Sequence, residues 1–257
     1  MKSFQSLYSA EPAGTQASDA LPATGAQPGN SISARIDKVV DWLKWPMAIL
    51  ALSVTPMLLW ALLRTVGQCI TSPTSSLIPL IGGIVGFAFL WRRWLGKSRW
   101  GSFLITLEHE STHALFAMLT GHAIVGFKAS LGQGGEVRFA GKGNWLITVA
   151  PYFFPTAAIL LFLLGFFLPF AALPWQSFLL GVALAYHVIS TWRETHRDQS
   201  DLVVLGKLFC WVFLPSANLA VLGVLIAFSR SGGDGVNLWF AYLREPIDYL
   251  YSLLVAK

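Results

Sequence analysis

The sequence predicts an all-α polytopic membrane protein with about six transmembrane helices and one small membrane-associated β-hairpin. Three observations support this fold class. First, 54% of the 257 residues are hydrophobic and only 12% are charged, whereas charged residues make up about 25% of a typical soluble domain. Second, six segments are apolar enough to enter a bilayer, which a helix crosses with roughly 17–25 residues. Third, one glycine-rich stretch between two segments alternates with the period of a β-strand.

The six apolar segments lie between a polar tail and an aromatic carboxyl-terminal stretch. They cover residues 46–63, 77–91, 100–119, 145–170, 173–192 and 202–228. Residues 1–33 are rich in Ala, Ser, Pro, Gly and Thr, a composition that predicts a disordered tail. Residues 34–230 form the predicted transmembrane domain. Residues 231–257 mix aromatic and charged side chains, which predicts an amphipathic helix at the membrane interface.

The basic charge of the chain is more typical of membrane topology than of nucleic-acid binding. The formal net charge is +5, but the basic residues lie between apolar segments, as in the run from Arg92 to Arg99. Lys and Arg collect in the cytoplasmic loops of membrane proteins, so we expect the lipid bilayer, and not nucleic acid, as a partner. Neither Cys69 nor Cys210 has a Cys-x-x-Cys partner, which excludes a zinc or redox motif of that type.

A β-hairpin is predicted between the third and fourth apolar segments, within residues 123–143. Apolar residues alternate with other residues on both sides of a glycine-rich turn. The alternating residues are Val125, Phe127, Ala129, Leu131, Val137 and Phe139, and the turn glycines are Gly132, Gly134 and Gly135. Alternation with period two, interrupted by glycines, is the pattern of two antiparallel strands joined by a turn.

The strongest chemical signal is the motif His109-Glu110-Ser111-Thr112-His113 in the third segment. Residues four positions apart lie on one face of a helix, so both imidazoles can bind one Zn²⁺ ion. Glu110 can act as general base toward a zinc-bound water. Ionisable residues are costly inside a membrane-length apolar segment. A solvated helix end at the interface is therefore a weaker explanation of the motif than a metal site.

A third zinc ligand must come from another part of the chain, because catalytic zinc usually has three protein ligands and one open position. We predict Asp201, which begins the sixth apolar segment, where an unpaired carboxylate would be costly. Asp198 and His196 in the preceding loop are the alternatives. Asp201 also has a purely structural interpretation, as the N-cap of the sixth helix.

Three further residues are candidates for positions beside the metal ligands. His187 lies within the fifth segment, where ordinary packing and a role next to the site fit it equally well. In the second case it would hydrogen-bond a ligand or stabilise an oxyanion. Glu194 and Asp198 belong to the polar run between the fifth and sixth segments, which is also consistent with a solvated loop.

These motifs resemble the site-2 protease family of intramembrane zinc metalloproteases. In that family a membrane helix carries two histidines and a glutamate, a membrane-associated β-hairpin follows, and a later helix supplies an aspartate as third zinc ligand. His109, Glu110 and His113 match this pattern residue by residue. The hairpin and Asp201 match by order and context, and a leucine follows the aspartate where the family usually has a glycine. The resemblance covers roughly residues 100–220.

The resemblance implies a zinc metalloendopeptidase with one Zn²⁺ per chain. Residues 34–230 would be the metallopeptidase domain, and the substrates would be membrane proteins or membrane-anchored peptides. Glu110 would take a proton from the zinc-bound water and return it to the leaving amine. A membrane metal transporter or sensor and a catalytically inactive scaffold of the family are the alternatives. A transporter site needs no base beside its first ligand, and the intact motif disfavours an inactive scaffold.

Overall fold

The computed structural model describes residues 31–131, 134–165, 167–168, 173–195 and 199–255. The elements in chain order are α1 (Ser31–Thr71), α2 (Leu77–Arg93), α3 (Arg99–Leu119), β1 (Ile124–Ser130), β2 (Gly134–Phe139), α4 (Trp145–Val149), α5 (Thr156–Gly165), α6 (Leu173–Glu194), α7 (Ser200–Leu205), α8 (Lys207–Ser231) and α9 (Gly233–Val255). The predicted combination of helices with one small hairpin is confirmed. The predicted tail lies outside the described residues except for residues 31–33, which begin α1.

The predicted count of six transmembrane helices is not confirmed. In the described part of the chain, α1, α2, α6 and α8 are long and apolar enough to cross a membrane. The bent pair formed by α4 and α5 raises the number to five if it is counted as one span. The third predicted segment forms α3, whose hydropathy is lowered by Glu108, Glu110 and the two histidines. The chain is an integral membrane protein, and its described residues include four or five candidate spans.

α1 is much longer than the first predicted segment, residues 46–63. It has 41 residues and continues through Pro46 and Pro56. A proline removes one backbone donor, but membrane helices tolerate this loss where neighbouring groups satisfy the freed carbonyl. The fifteen residues before Pro46 therefore belong to the same helix, and they bring charged side chains onto the rest of the protein.

The fourth predicted segment is not one continuous helix. α4 and α5 meet at an angle of 82°, with a single 3₁₀ turn after α4. Pro151 and Pro155 explain the break, because neither has a backbone N–H group that could continue the helical hydrogen bonding. The side-chain amide of Asn218 donates a hydrogen bond to the Tyr152 carbonyl at 3.0 Å. The bend therefore retains a donor for a carbonyl group that the helix no longer satisfies.

The sixth predicted segment is also divided into two helices. α7 ends before Gly206, which has a φ of +89°, a conformation that L side chains rarely adopt. Asp201 therefore lies in the first turn of a six-residue helix, and not at the start of a long sixth helix as predicted. Gln199 occupies the N-cap position of α7, so the N-cap interpretation of Asp201 is wrong.

α2 and α6 approach each other closely through two glycines. A Cβ atom on Gly83 would overlap the carbonyl oxygen of Phe178, and one on Gly181 would overlap that of Leu80. Small residues permit such close backbone contact between membrane helices. The adjoining core consists of Leu80, Ala158, Leu180, Ala183, Leu184, Leu225 and Phe228. This part of the fold is held together by apolar packing between long helices.

The hairpin lies against α3. β1 and β2 pair in antiparallel orientation, from Ser130 opposite Gly134 to Ile124 opposite Phe139. Both strands contact α3, so the hairpin is next to the helix that carries the histidine motif. The predicted hairpin is confirmed, although Gly132 in its turn is outside the described residues.

Candidate metal centre

α3 brings the two histidines of the motif together. Their Nε2 atoms are 3.1 Å apart, and the ring planes are inclined by 78°. His109 is buried, and the side chain of His113 is 13% exposed. The four-residue spacing therefore directs two imidazole nitrogens toward one point inside the protein.

α7 supplies the third group of the cluster. The Oδ2 atom of Asp201 lies 3.5 Å from Nε2 of His109 and 3.3 Å from Nε2 of His113. Among the described residues, these three form the one group of His, Cys, Asp or Glu side chains whose ligand atoms all lie within 4.8 Å of one another. The structure thus brings Asp201 next to the histidine pair.

The three donor atoms fit a zinc ion. Bonds from tetrahedral zinc to nitrogen or oxygen ligands are about 2.0–2.1 Å long, so donor atoms around one ion lie roughly 3.3 Å apart. The separations here are 3.1, 3.3 and 3.5 Å. Two imidazoles and a carboxylate also form a donor set that binds zinc in other proteins. The cluster is compatible with zinc, and the assignment of each residue as a ligand stays a prediction.

A backbone carbonyl fixes the orientation of one imidazole. Nδ1 of His113 lies 2.8 Å from the carbonyl oxygen of Ile147 in α4. Because a carbonyl oxygen can only accept a hydrogen bond, Nδ1 carries a proton. Nε2 is therefore the nitrogen whose lone pair is available to a metal when the ring is neutral. Asn144 caps α4, since its side-chain oxygen accepts hydrogen bonds from the N–H groups of Leu146 and Ile147.

A carboxylate and a phenol lie beside the other two members of the cluster. The Oε2 atom of Glu194 is 4.0 Å from Nδ1 of His109, so it faces the ring nitrogen that is not directed at His113. The Tyr152 hydroxyl donates a hydrogen bond to Oδ2 of Asp201 at 3.3 Å. The Tyr152 ring also packs edge-on against His109, with the centroids 5.4 Å apart. Glu194 is therefore close to a predicted ligand, and its role stays a prediction.

The surroundings of Asp201 favour its ionised form. Burial raises the pKa of this carboxyl group, but hydrogen bonds and electrostatic attraction involving His109 and His113 outweigh burial and lower the pKa below its ordinary value. A metal binds the carboxylate and not the carboxylic acid. Asp201 is therefore in the ionised form that a metal binds.

Glu110 lines a cavity of about 510 Å³ beside the three clustered side chains. The cavity is also lined by Thr106, His109, His113, Gly134, Gly135, Glu136, Val137, Phe139, Ile147, Thr148, Glu194, Gln199, Ser200 and Asp201. A Cβ atom on Gly135 would lie only 2.8 Å from Oε1 of Glu110, so the backbone of β2 passes directly against the glutamate. Glu110 thus faces the same space as the cluster without belonging to it.

Comparison of the sequence with protein families identifies the family of the chain. Residues 80–250, more than half of the chain, match the family model described as Peptidase M50B-like. The chain belongs to this family. The M50B-like family is the site-2 protease family, so the resemblance predicted from the motif is confirmed. No curated protein and no solved structure matches the chain.

Glu108 has a structural explanation in this M50B-like protein. Its Oε1 atom accepts a hydrogen bond from the N–H group of Ala157 at 3.2 Å, in the first turn of α5, where backbone N–H groups lack partners within the helix. The hydroxyl groups of Thr112 and Thr156 lie 2.5 Å apart at the same contact. These interactions hold α5 against α3 and give one carboxylate oxygen of Glu108 a partner within the apolar surroundings.

The other predicted site residues lie elsewhere or outside the described range. His187 is buried in α6 and lines a separate, largely apolar cavity of about 800 Å³, formed mostly by α6 and α8. Its two ring nitrogens each lie 3.5 Å from the hydroxyl of Thr191. Tyr152 lines this cavity as well. Asp198 and His196 are outside the described residues. The roles predicted for His187, His196 and Asp198 stay predictions.

Sequence reasoning missed the groups that orient the cluster in the M50B-like protein. The Ile147 carbonyl has no signature in the sequence, because every residue has a carbonyl. Tyr152 was not recognised as a site residue because it lies within an apolar run. Asn144 could have been found, since Asn directly before an apolar segment is a helix-start signal.

Proposed function

We propose that this M50B-like protein is a membrane-embedded zinc metalloendopeptidase. The observation that carries the proposal is the convergence of His109, His113 and Asp201 at the wall of a cavity that also contains Glu110. These three side chains would hold the zinc ion. When bound, zinc lowers the pKa of water toward ~7 and polarises a carbonyl oxygen.

Glu110 supplies the acid–base chemistry in this proposal. It accepts a proton from the attacking water and donates it to the amine that leaves when the peptide bond breaks. The contact between its side chain and the backbone at Gly135 limits where the carboxylate can lie. Ile147, Glu194 and Tyr152 orient the three ligand groups through the contacts described above.

The proposed substrate is a membrane protein or membrane-anchored peptide that binds in an extended conformation. The peptide groups of a transmembrane helix are hydrogen-bonded within the helix, so the helix must unwind before a water molecule can attack. β2 forms one wall of the cavity, and the edge of a strand can pair with an added strand. This arrangement supports binding of the substrate alongside β2, with the scissile bond near Glu110.

The variant Glu110→Gln tests the proposal, because glutamine has a similar size but cannot accept the proton. Wild type and variant are purified as full-length protein, and zinc content is measured together with cleavage of single-span peptides that carry a fluorophore and a quencher. We expect one zinc per chain in both proteins. Cleavage should fall by about 10²–10⁴-fold in the variant, the usual contribution of a general base.

The same measurements separate the alternative functions. Zinc uptake into proteoliposomes by the wild type, without peptide cleavage, would indicate a transporter. Zinc binding with neither activity would indicate an inactive scaffold or a sensor. Cleavage by Glu110→Gln at the wild-type rate would contradict the role of Glu110, and a wild type without zinc would contradict the metal centre.

A further inference from the structure

α1 precedes the residues that match the family model, which begin at residue 80. It nevertheless contacts both short helices that flank the metal centre. Three of the contacting residues have charged side chains, Asp37, Asp41 and Lys44. They are spaced four and three residues apart and therefore lie on one face of the helix. We call these three residues the polar face of α1.

The first contact joins α1 to α4. The buried Asp37 accepts a hydrogen bond from the side-chain amide of Asn144 at 2.7 Å, and Asn144 is the residue that caps α4. Asp41 accepts a hydrogen bond from the backbone N–H group of Trp145 at 3.2 Å. Both contacts are made at the start of α4, which has only five residues, too few to be stable as an isolated helix.

Asp37 also connects this contact to the end of α3. Its Oδ2 atom lies 3.1 Å from Nε2 of His122, and Nδ1 of His122 lies 3.1 Å from the hydroxyl of Thr120. Asp37 and His122 are both buried. A buried pair of this kind is costly to break, because removal of one partner leaves the other without compensation. The position of α1 against α3 and α4 is therefore well defined.

The second contact joins α1 to α7. The Lys44 ammonium group donates a hydrogen bond to the carbonyl of Leu205 at 2.8 Å and lies 5.0 Å from the ring centroid of Phe209. Leu205 is the last residue of α7, and a cation at this end satisfies a free carbonyl and interacts favourably with the helix dipole. α7 has six residues and carries Asp201.

The two short helices hold different parts of the metal centre. α4 presents the Ile147 carbonyl to His113, and α7 presents the carboxylate of Asp201 to both histidines. The contacts of α1 thus lie behind the helix that presents the Ile147 carbonyl to His113 and behind the helix that carries Asp201. Groups that contact metal ligands directly commonly change metal affinity by 10–100-fold, so we expect effects near the lower end of that range from residues that act through these helices.

We propose that the polar face of α1 positions the metal centre, with Asp37 acting through α4 on His113 and Lys44 acting through α7 on Asp201. These are positioning residues, since neither touches the metal ligands. The inference rests on the proposed zinc site but not on proteolysis. α1 is in this view a structural part of the active site, although it lies outside the residues that define the family match.

The variants Lys44→Met and Asp37→Asn test this inference, with Lys38→Met and Asp248→Asn as matched controls at exposed positions. The dissociation constant for zinc is measured on the full-length protein by competition with a chelator, and the midpoint of thermal unfolding is measured on the same samples. We expect each test variant to bind zinc about tenfold more weakly, and the controls to stay within about twofold of the wild type. Lys44→Arg, which retains a cationic donor, should restore most of the affinity.

The double variant adds a further criterion. Lys44→Met and Asp37→Asn act through different helices, so their effects on the free energy of zinc binding should add. Zinc affinities equal to those of the controls would overturn the inference, as would a loss of affinity in Lys44→Met that Lys44→Arg does not restore. If the wild type itself binds no zinc, the proposed function fails. If the wild type binds zinc and cleaves peptides while both variants bind zinc normally, only this inference fails.

Discussion

In the α2–α6 pair, two long helices meet through Gly83 and Gly181, and the surrounding contacts are apolar. In the metal centre, one short helix carries Asp201 and another presents the Ile147 carbonyl. Both pack into an apolar cluster with α1 and α8, and hydrogen bonds from α1 side chains add to that packing. The first region is held by apolar packing, whereas the second combines apolar packing with hydrogen bonds between distant parts of the chain. A substitution in the first region should therefore change the stability of the fold, whereas one in the second should change zinc binding.

The largest expected effect is the loss of a ligand from the metal centre. Asp201→Ala leaves two histidines, one protein ligand fewer than catalytic zinc usually has. We expect zinc affinity to fall by more than about 100-fold, beyond the usual effect of groups behind the ligands, and peptide cleavage to be lost. Metal analysis under identical detergent conditions checks this.

Asp198→Ala is the matched comparison for that variant. It removes a carboxylate three residues earlier in the chain, and we expect it to weaken zinc binding less. Full zinc occupancy in Asp201→Ala together with zinc loss in Asp198→Ala would reverse the ligand assignment and leave the metalloprotease proposal standing.

Features that depend on local sequence patterns could be predicted, whereas contacts between distant residues could not. The spacing of His109 and His113 and the apolar segments are local patterns, and each predicts structure directly. Pro151 and Pro155 are visible in the sequence as residues that weaken a helix. Hydropathy nevertheless does not change at Pro155 or at Gly206, because apolar residues continue on both sides of each, so the division into separate helices was not predicted. The contacts of Asp37 with Asn144 and of Lys44 with Leu205 join residues more than 100 positions apart, and no local pattern encodes them.

A large effect on stability, without an effect on the metal centre, is expected in the apolar pair. Gly83→Ala forces a methyl group into the Phe178 carbonyl, and overpacking of this kind usually costs about 1–3 kcal/mol. Gly86→Ala is the matched control, because a Cβ atom there meets nothing within 4 Å. Thermal unfolding should show a lower midpoint only for Gly83→Ala, and the folded protein should bind zinc normally. A weaker zinc affinity in Gly83→Ala would contradict the expectation that this region affects stability and not metal binding.

A smaller effect, confined to catalysis, is expected where the hairpin meets the glutamate. The added methyl group in Gly135→Ala would push against Cγ and Oε1 of Glu110 and displace the base from its position. We expect kcat to fall about tenfold, since a displacement of about 1 Å can cost up to 10²-fold, while zinc content stays at one per chain. Steady-state kinetics with the labelled peptides measures this change.

Gly126→Ala is the control for the hairpin substitution. It adds the same methyl group to the neighbouring strand, where the nearest contact is the guanidinium group of Arg138, an exposed and flexible side chain. We expect its kcat to remain near that of the wild type. Equal losses in both glycine variants would indicate a general effect on the hairpin and not a displacement of Glu110.

Zinc X-ray absorption spectroscopy on the purified full-length wild type can identify the ligands of the metal centre. We expect one zinc per chain with two imidazole nitrogens and carboxylate or water oxygens at about 2.0–2.1 Å, from His109, His113 and Asp201. A signal from zinc–sulfur bonds at about 2.3 Å, which would involve Cys69 or Cys210, or a shell with a single imidazole would rule out this metal centre.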